Sequence, residues 1–181
     1  MGGMDMKIDT TVDSPAFTTE FDKFFSKYSE KYFSTDFDWR WFRAQAIAES
    51  GIDPAAVSWC GAKGILQIMP ATFAEIKKYH CPWITNVEDP EQNIEAGIFY
   101  DRKLYRLWSN PRPELDRLAL MFASYNAGAG NILKAQKLCT VDPNLWASIA
   151  AAAKFVPGWK SSETLGYVTK IISLMSKYMR A

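Results

Sequence analysis

Apolar side chains recur every three or four residues along most of this chain, the spacing of helices that bury one face. Ser14-Pro15 offers a helix cap and a first-position proline, and Phe17, Phe21, Phe24, Phe25, Tyr28 and Tyr32 follow in register. That predicts an amphipathic first helix. After a turn at Ser34-Thr35-Asp36, Asp38 caps a second, with Trp39, Phe42, Ala46 and Glu49 on one stripe and Gly51 as its stop. From Ile52 to Met69 the period breaks at Pro54, Gly61 and Gly64, and the short runs Ala56-Val57 and 64–68 predict a loop with a weak β-element. Pro70 opens a short helix through Phe73 and Ile76. Asp89-Pro90-Glu91-Gln92 reads as a cap, a first-position proline and a capping-box Gln ahead of Ile94, Ile98, Asp101, Tyr105 and Trp108. Further helices are expected from Pro113 to Gly128, from Asp142-Pro143 through Trp146 and Ile149, and from a cap at Ser161-Ser162 through Leu165, Val168, Ile172 and Met175. The fold class is therefore mainly α, six to eight helices with one small β-like insert.

Composition narrows the function classes. The 181 residues carry 48% hydrophobic and 23% charged side chains and a net charge of +1, an ordinary globular balance. Without a basic field, no nucleic-acid partner is expected. No run approaches the length needed to span a bilayer. Met1 to Met6 lack a signal peptide's charged and apolar regions. Either another export route or a leader already removed is expected. Cys60, Cys81 and Cys139 are an odd number at wide spacing, which predicts free thiols and no metal site. His80 beside Cys81 is a weak nucleophile pair, because such partners are normally distant in sequence.

Glu49 is singled out physically. An acid closing an apolar stripe at a helix C-terminus is desolvated and faces the negative end of the helix dipole, and both effects favour its protonated form. Such a Glu can donate a proton to a glycosidic oxygen. Asp53, in Ile52-Asp53-Pro54, is the one nearby acid that could act as a second carboxylate, and it reads as a turn residue.

Three segments in order, Ala48-Glu49-Ser50-Gly51, 61–70 with Gly64, Gln67, Met69 and Pro70, and Ser124-Tyr125-Asn126-Ala127-Gly128, resemble the signature of soluble lytic transglycosylases, relatives of goose-type lysozyme. Glu163-Thr164 with Tyr167-Val168 adds a fourth, weaker match, and Ser124 departs from the family's usual Ala. The resemblance covers residues 38 to about 175. It implies a lysozyme-like α+β fold, a catalytic part at 37–181 and an N-terminal helical arm at 1–36, a brace or a docking element.

The resemblance further implies an enzyme that acts on peptidoglycan glycan strands without a cofactor, as a monomer, in the periplasm or outside the cell. Glu49 would be its single acid and base at the bond between N-acetylmuramic acid and N-acetylglucosamine, and the product would end in a 1,6-anhydro ring. Ser58 would lie near the acetamido group, Gln67 would hydrogen-bond sugar, Met69 would wall the cleft, and Tyr125 would hold Glu49 or substrate. Asn126 would shape the turn, and Glu163 and Tyr167 would complete the floor. The alternatives are a hydrolytic muramidase or endolysin on the same fold and a non-catalytic wall-binding secretion accessory. Release to the wall would follow a phage-type or secretion-system route.

Overall fold

The computed structural model describes residues 11–179, which leaves Met1 to Met6 outside the description. Eight helices are present among them: α1 Asp22–Tyr32, α2 Arg40–Glu49, α3 Pro70–Tyr79, α4 Pro90–Leu107, α5 Glu114–Ala127, α6 Ala129–Lys137, α7 Trp146–Ala153 and α8 Ser161–Leu174. Between α2 and α3 the chain forms a small insert. Two isolated antiparallel bridges hold it, Val57 with Lys63 and Lys63 with Ile68, which matches the weak β-element expected there. No helix among the described residues is long and apolar enough to cross a membrane.

The core is organised around α5, where Leu118 through Ser124 are buried on every side. α4, α6, α7 and α8 all pack against it. Ser124 has a physical reason to replace Ala, since its hydroxyl accepts the indole N–H of buried Trp108 at 3.0 Å. α1 lies on α4 and α2, and Phe25 and Tyr28 join the same core as Phe42 and Ile94. Glu95 on α4, 4% exposed, fastens that contact by accepting from Lys31 at 2.6 Å, Tyr32 at 2.9 Å and Trp83 at 3.0 Å.

Several boundaries differ from the sequence pattern. The first helix starts at Asp22 and not at Pro15. Buried Arg43 of α2 donates to the carbonyls of Val12, Phe17 and Thr18, so the latter two do not support a helix through this stretch. Asp38 accepts the Arg40 N–H at 3.0 Å, one position ahead of the geometric cap. Asp89 caps α4 through the Gln92 N–H at 2.9 Å, but the Gln92 side chain turns to the N–H groups of Thr85 and Asn86 and closes no capping box. α6 follows Gly128 directly, in a stretch where the sequence pattern names no element. α7 begins at Trp146, whose N–H is accepted at 2.6 Å by Asp116 from α5, while Asp142 closes a local turn on Asn144. Ser161 is the first residue of α8, and its cap position is Lys160.

The insert is pinned to α4 by Asn93, 1% exposed. Its side chain accepts from Leu66 N–H at 2.8 Å and donates to the carbonyls of Lys63 and Val87, each at 2.9 Å. Gly64 has φ +76, and a Cβ there would strike the Asn93 amide. That close approach seats the insert against α4.

Candidate active site

α2 ends in two successive left-handed residues, Gly51 at φ +69 and Ile52 at φ +65. Glycine adopts this readily, whereas a β-branched Ile does so only when its surroundings impose it. Here Ile52 is 2% exposed and its N–H reaches back to the Ala46 carbonyl at 3.3 Å. The reversal leaves Glu49 as the last helical residue. Ser50 follows it, and its hydroxyl donates to the Ile65 carbonyl at 2.8 Å, tying the helix end to the insert.

The Glu49 carboxylate accepts the Tyr167 hydroxyl at 2.6 Å. Burial pushes its pKa from an ordinary 4.5 up to about 7, against the opposing effects of the Tyr167 hydrogen bond and the Lys170 ammonium, while nearby Glu163 adds to the rise. Burial also drives the Tyr167 phenol well above its usual range, so it stays a donor. A carboxyl poised near neutrality can give up and regain one proton in a single turnover.

The other candidate residues fall into three groups. Gln67, Met69, Tyr125 and Asn126 line one cavity of about 300 Å³ with Thr72 and Tyr100. Within it, the Tyr125 hydroxyl donates to the Leu66 carbonyl at 2.8 Å, and the Gln67 amide nitrogen donates to the carbonyls of Ala56 and Gly64. Neither of these bonds reaches Glu49. Asn126 accepts the Thr164 hydroxyl at 2.7 Å, which joins the end of α5 to α8. Ser58 accepts the Ala62 N–H at 2.9 Å and lies 3.1 Å from Cys60 Sγ, itself 3.9 Å from the Met69 sulfur. Glu163 is exposed on the first turn of α8.

Two weaker candidates do not assemble. Asp53 accepts the Ala55 N–H at 2.8 Å within its own exposed turn. His80 packs tilted against Phe99 with ring centroids 5.0 Å apart, while Cys81 is buried with its sulfur 3.7 Å from the Tyr32 hydroxyl. All three cysteines are free.

Sequence reasoning passed over two residues. Asp101 on α4 is fully buried, accepts Gln45 Nε2 at 3.3 Å and leaves its Oδ2 without a partner among the described residues. Burial raises its pKa well above the usual carboxylate range, against the opposing Gln45 hydrogen bond and with Glu49 adding to the rise. An Asp in the apolar stripe of Ile94 and Ile98 was the available signal. Lys170 lies beside Glu49 and follows Glu163 and Tyr167 at i, i+7 and i, i+3 spacing on α8, so one helix face carries all three.

A family model described as Transglycosylase SLT domain matches residues 26–140. The membrane-bound lytic murein transglycosylase F of Vibrio campbellii is 31% identical over 143 residues, covering 76% of this chain and 26% of that protein. Its namesake from Desulfosudis oleivorans is 36% identical over 116 residues, covering 62% and 24%. The chain thus spans about a quarter of the length of these curated relatives. Among solved structures, the 70 kDa soluble lytic transglycosylase of Escherichia coli superposes with a TM-score of 0.67 at 28% identity, over 90% of this chain and 24% of that one. A complex of the 70 kDa soluble lytic transglycosylase with bulgecin A superposes at 0.66 with 25% identity, again over 90% of this chain and 25% of that one.

Proposed function

Because this chain belongs to the transglycosylase SLT domain family, we propose that it cleaves peptidoglycan glycan strands between N-acetylmuramic acid and N-acetylglucosamine with Glu49 as the only acid and base. The observation that carries the reading is the state of Glu49. It is a desolvated carboxyl with a pKa of about 7, held by one phenol at the end of a helix. Protonated Glu49 gives its proton to the glycosidic oxygen as the bond from that oxygen to muramic C1 breaks. The positive charge developing at C1 is met by the sugar's own acetamido carbonyl. Glu49, now a carboxylate, takes the proton of the C6 hydroxyl, whose oxygen bonds to C1 and closes the 1,6-anhydro ring. Because the C6 hydroxyl is the nucleophile, no water is consumed, unlike in the two-carboxylate glycosidases, and the turnover returns Glu49 to its starting state.

The remaining residues take supporting parts. Tyr167 steadies the Glu49 anion between the two proton transfers. Tyr125 braces the insert through Leu66, while Met69 and Gln67 form the wall along which the strand lies and Ser58 meets an acetamido group. Asn126 shapes the end of α5, and Glu163 borders the floor. Residues 1–36 act as an arm that braces the catalytic part at 37–181, supported by Phe25 and Tyr28 in the shared core. The place of action is the cell wall.

Clearing of a peptidoglycan suspension tests the role of Glu49. Glu49→Gln is expected to lower the rate by about 10²–10⁴-fold, the usual contribution of an acid–base group. Retention of near wild-type clearing by that variant would overturn the assignment.

A further inference from the structure

One helical turn before Glu49, α2 carries a second polar side chain into the core. Gln45 precedes Glu49 by four residues, so the two share a face of the helix. Gln45 and Asp101 of α4 are both 0% exposed, and their buried neighbours along the two helices, Ala44, Ala46, Ile98 and Leu104, are apolar. Gln45 Nε2 donates to Asp101 Oδ1 at 3.3 Å, the one side-chain hydrogen bond between α2 and α4 among the described residues.

The pair is incomplete as heavy atoms alone. Gln45 Oε1 and Asp101 Oδ2 are acceptors with no hydrogen-bond partner among the described residues. Bare buried acceptors cost free energy, and an ionised carboxylate in such a place costs far more. No cation among the described residues lies within ion-pair distance of Asp101, and Arg102, next on α4, turns to the rings of Phe33 and Tyr105. The groups that interact with Asp101 electrostatically are Glu49 from α2, Tyr125 from α5, Tyr167 from α8 and Tyr100 on its own helix, and none of them carries positive charge. A single proton on Oδ2 answers both deficits, because it removes the charge and turns a bare acceptor into a donor for Oε1.

Resting on the proposed role of Glu49, we propose that Asp101 is a positioning residue: as a neutral acid it closes a two-bond pair with the Gln45 amide, and that pair sets the last turn of α2 against α4 and so fixes where Glu49 presents its carboxyl. α2 packs on α1 and α8, and Tyr167 of α8 grips Glu49 from that side. The Gln45–Asp101 pair supplies the hold from α4. Burial places the Asp101 pKa well above the carboxylate range and the Glu49 anion raises it further, so the acid stays neutral while Glu49 cycles its proton.

Two variants and one spectrum test the brace. In the infrared, the carbonyl band of a protonated carboxyl should remain in wild-type protein at pH 8, above the Glu49 midpoint of about 7, and vanish in Asp101→Asn. Asp101→Asn keeps both bonds with an uncharged amide, so its kcat and the alkaline limb of its kcat/KM should match the wild type. Gln45→Leu combined with Asp101→Leu replaces both partners by apolar groups, a change that costs little stability and that a denaturant titration checks. Its kcat should nonetheless fall about tenfold to hundredfold at unchanged KM, the effect of a misplaced reacting group. Absence of the protonated band at pH 8, or an alkaline limb moved to lower pH in Asp101→Asn, would mean a charged Asp101 and overturn the proposal. So would a kcat in Asp101→Asn as low as that of the double variant, or a wild-type kcat in the double variant. Retained clearing by Glu49→Gln would overturn the catalytic reading, and the brace's part in catalysis with it, whatever the spectrum shows.

Discussion

Replacing Glu49 with Gln should make the fold more stable at alkaline pH. In the folded protein the carboxyl has a pKa of about 7, against an ordinary value of 4.5, chiefly because burial penalises the anion. The native state therefore holds this proton more tightly than the unfolded chain. The resulting stabilisation is full below pH 4.5 and is lost as pH rises to about 7. At about 1.4 kcal/mol per pH unit, the wild type gives up about 3 kcal/mol over that window. The substituted amide keeps the shape and can still accept from Tyr167, yet it has no charge to desolvate. Urea titrations of both proteins at pH 4, 6 and 8 measure the difference. Going from pH 4 to pH 8, the variant should gain about 3 kcal/mol on the wild type, or about 6–12 °C in Tm for a domain of this size. Buried acids that do not feel Glu49 are common to both chains and cancel, whereas Asp101, which Glu49 helps to raise, does not cancel fully. Midpoints that run parallel across this range would refute the claim that Glu49 is held neutral by burial.

Three further outcomes follow from the same geometry. Tyr167→Phe removes the donor to the Glu49 anion, so its pKa should climb beyond 7 by about 1–2 pH units, the value of a hydrogen bond to a charged group. The alkaline limb of kcat/KM then moves to higher pH, and an unmoved or lowered limb counts against the contact. Asn93→Leu strands the Leu66 N–H and the carbonyls of Lys63 and Val87, which should cost about 3–5 kcal/mol in a denaturant titration. Arg43→Met leaves the carbonyls of Val12, Phe17 and Thr18 without their donor. Amide exchange in residues 12–22 should accelerate well beyond that in α5, and a uniform change would argue that the arginine does not organise this segment.

What was readable from the chain was what neighbours in sequence decide. Glu49 at the end of α2, Asp89 capping α4 and the stop at Gly128 all depend on contacts within a few residues. The departures arise from contacts across the chain. Arg43 holds the carbonyls of a segment 25 or more residues earlier, which turns the Ser14-Pro15 signal into turns, and Asp116 from α5 sets the start of α7. Site geometry shows the same division. Its motif assigns Tyr125 to hold Glu49 or substrate; the phenol bonded to Glu49 in the fold is Tyr167, while Tyr125 bonds the Leu66 carbonyl, and only the packing of α2, α5 and α8 places them.

The central claim is that Glu49 alone carries both proton transfers and that the C6 hydroxyl, not water, captures C1. Mass spectrometry of purified peptidoglycan after digestion tests it directly. Muramyl products lighter by one water, with 1,6-anhydro ends that depend on Glu49, are the predicted result. Reducing muramic ends that carry ¹⁸O from labelled water would contradict it and assign hydrolysis to the same cleft.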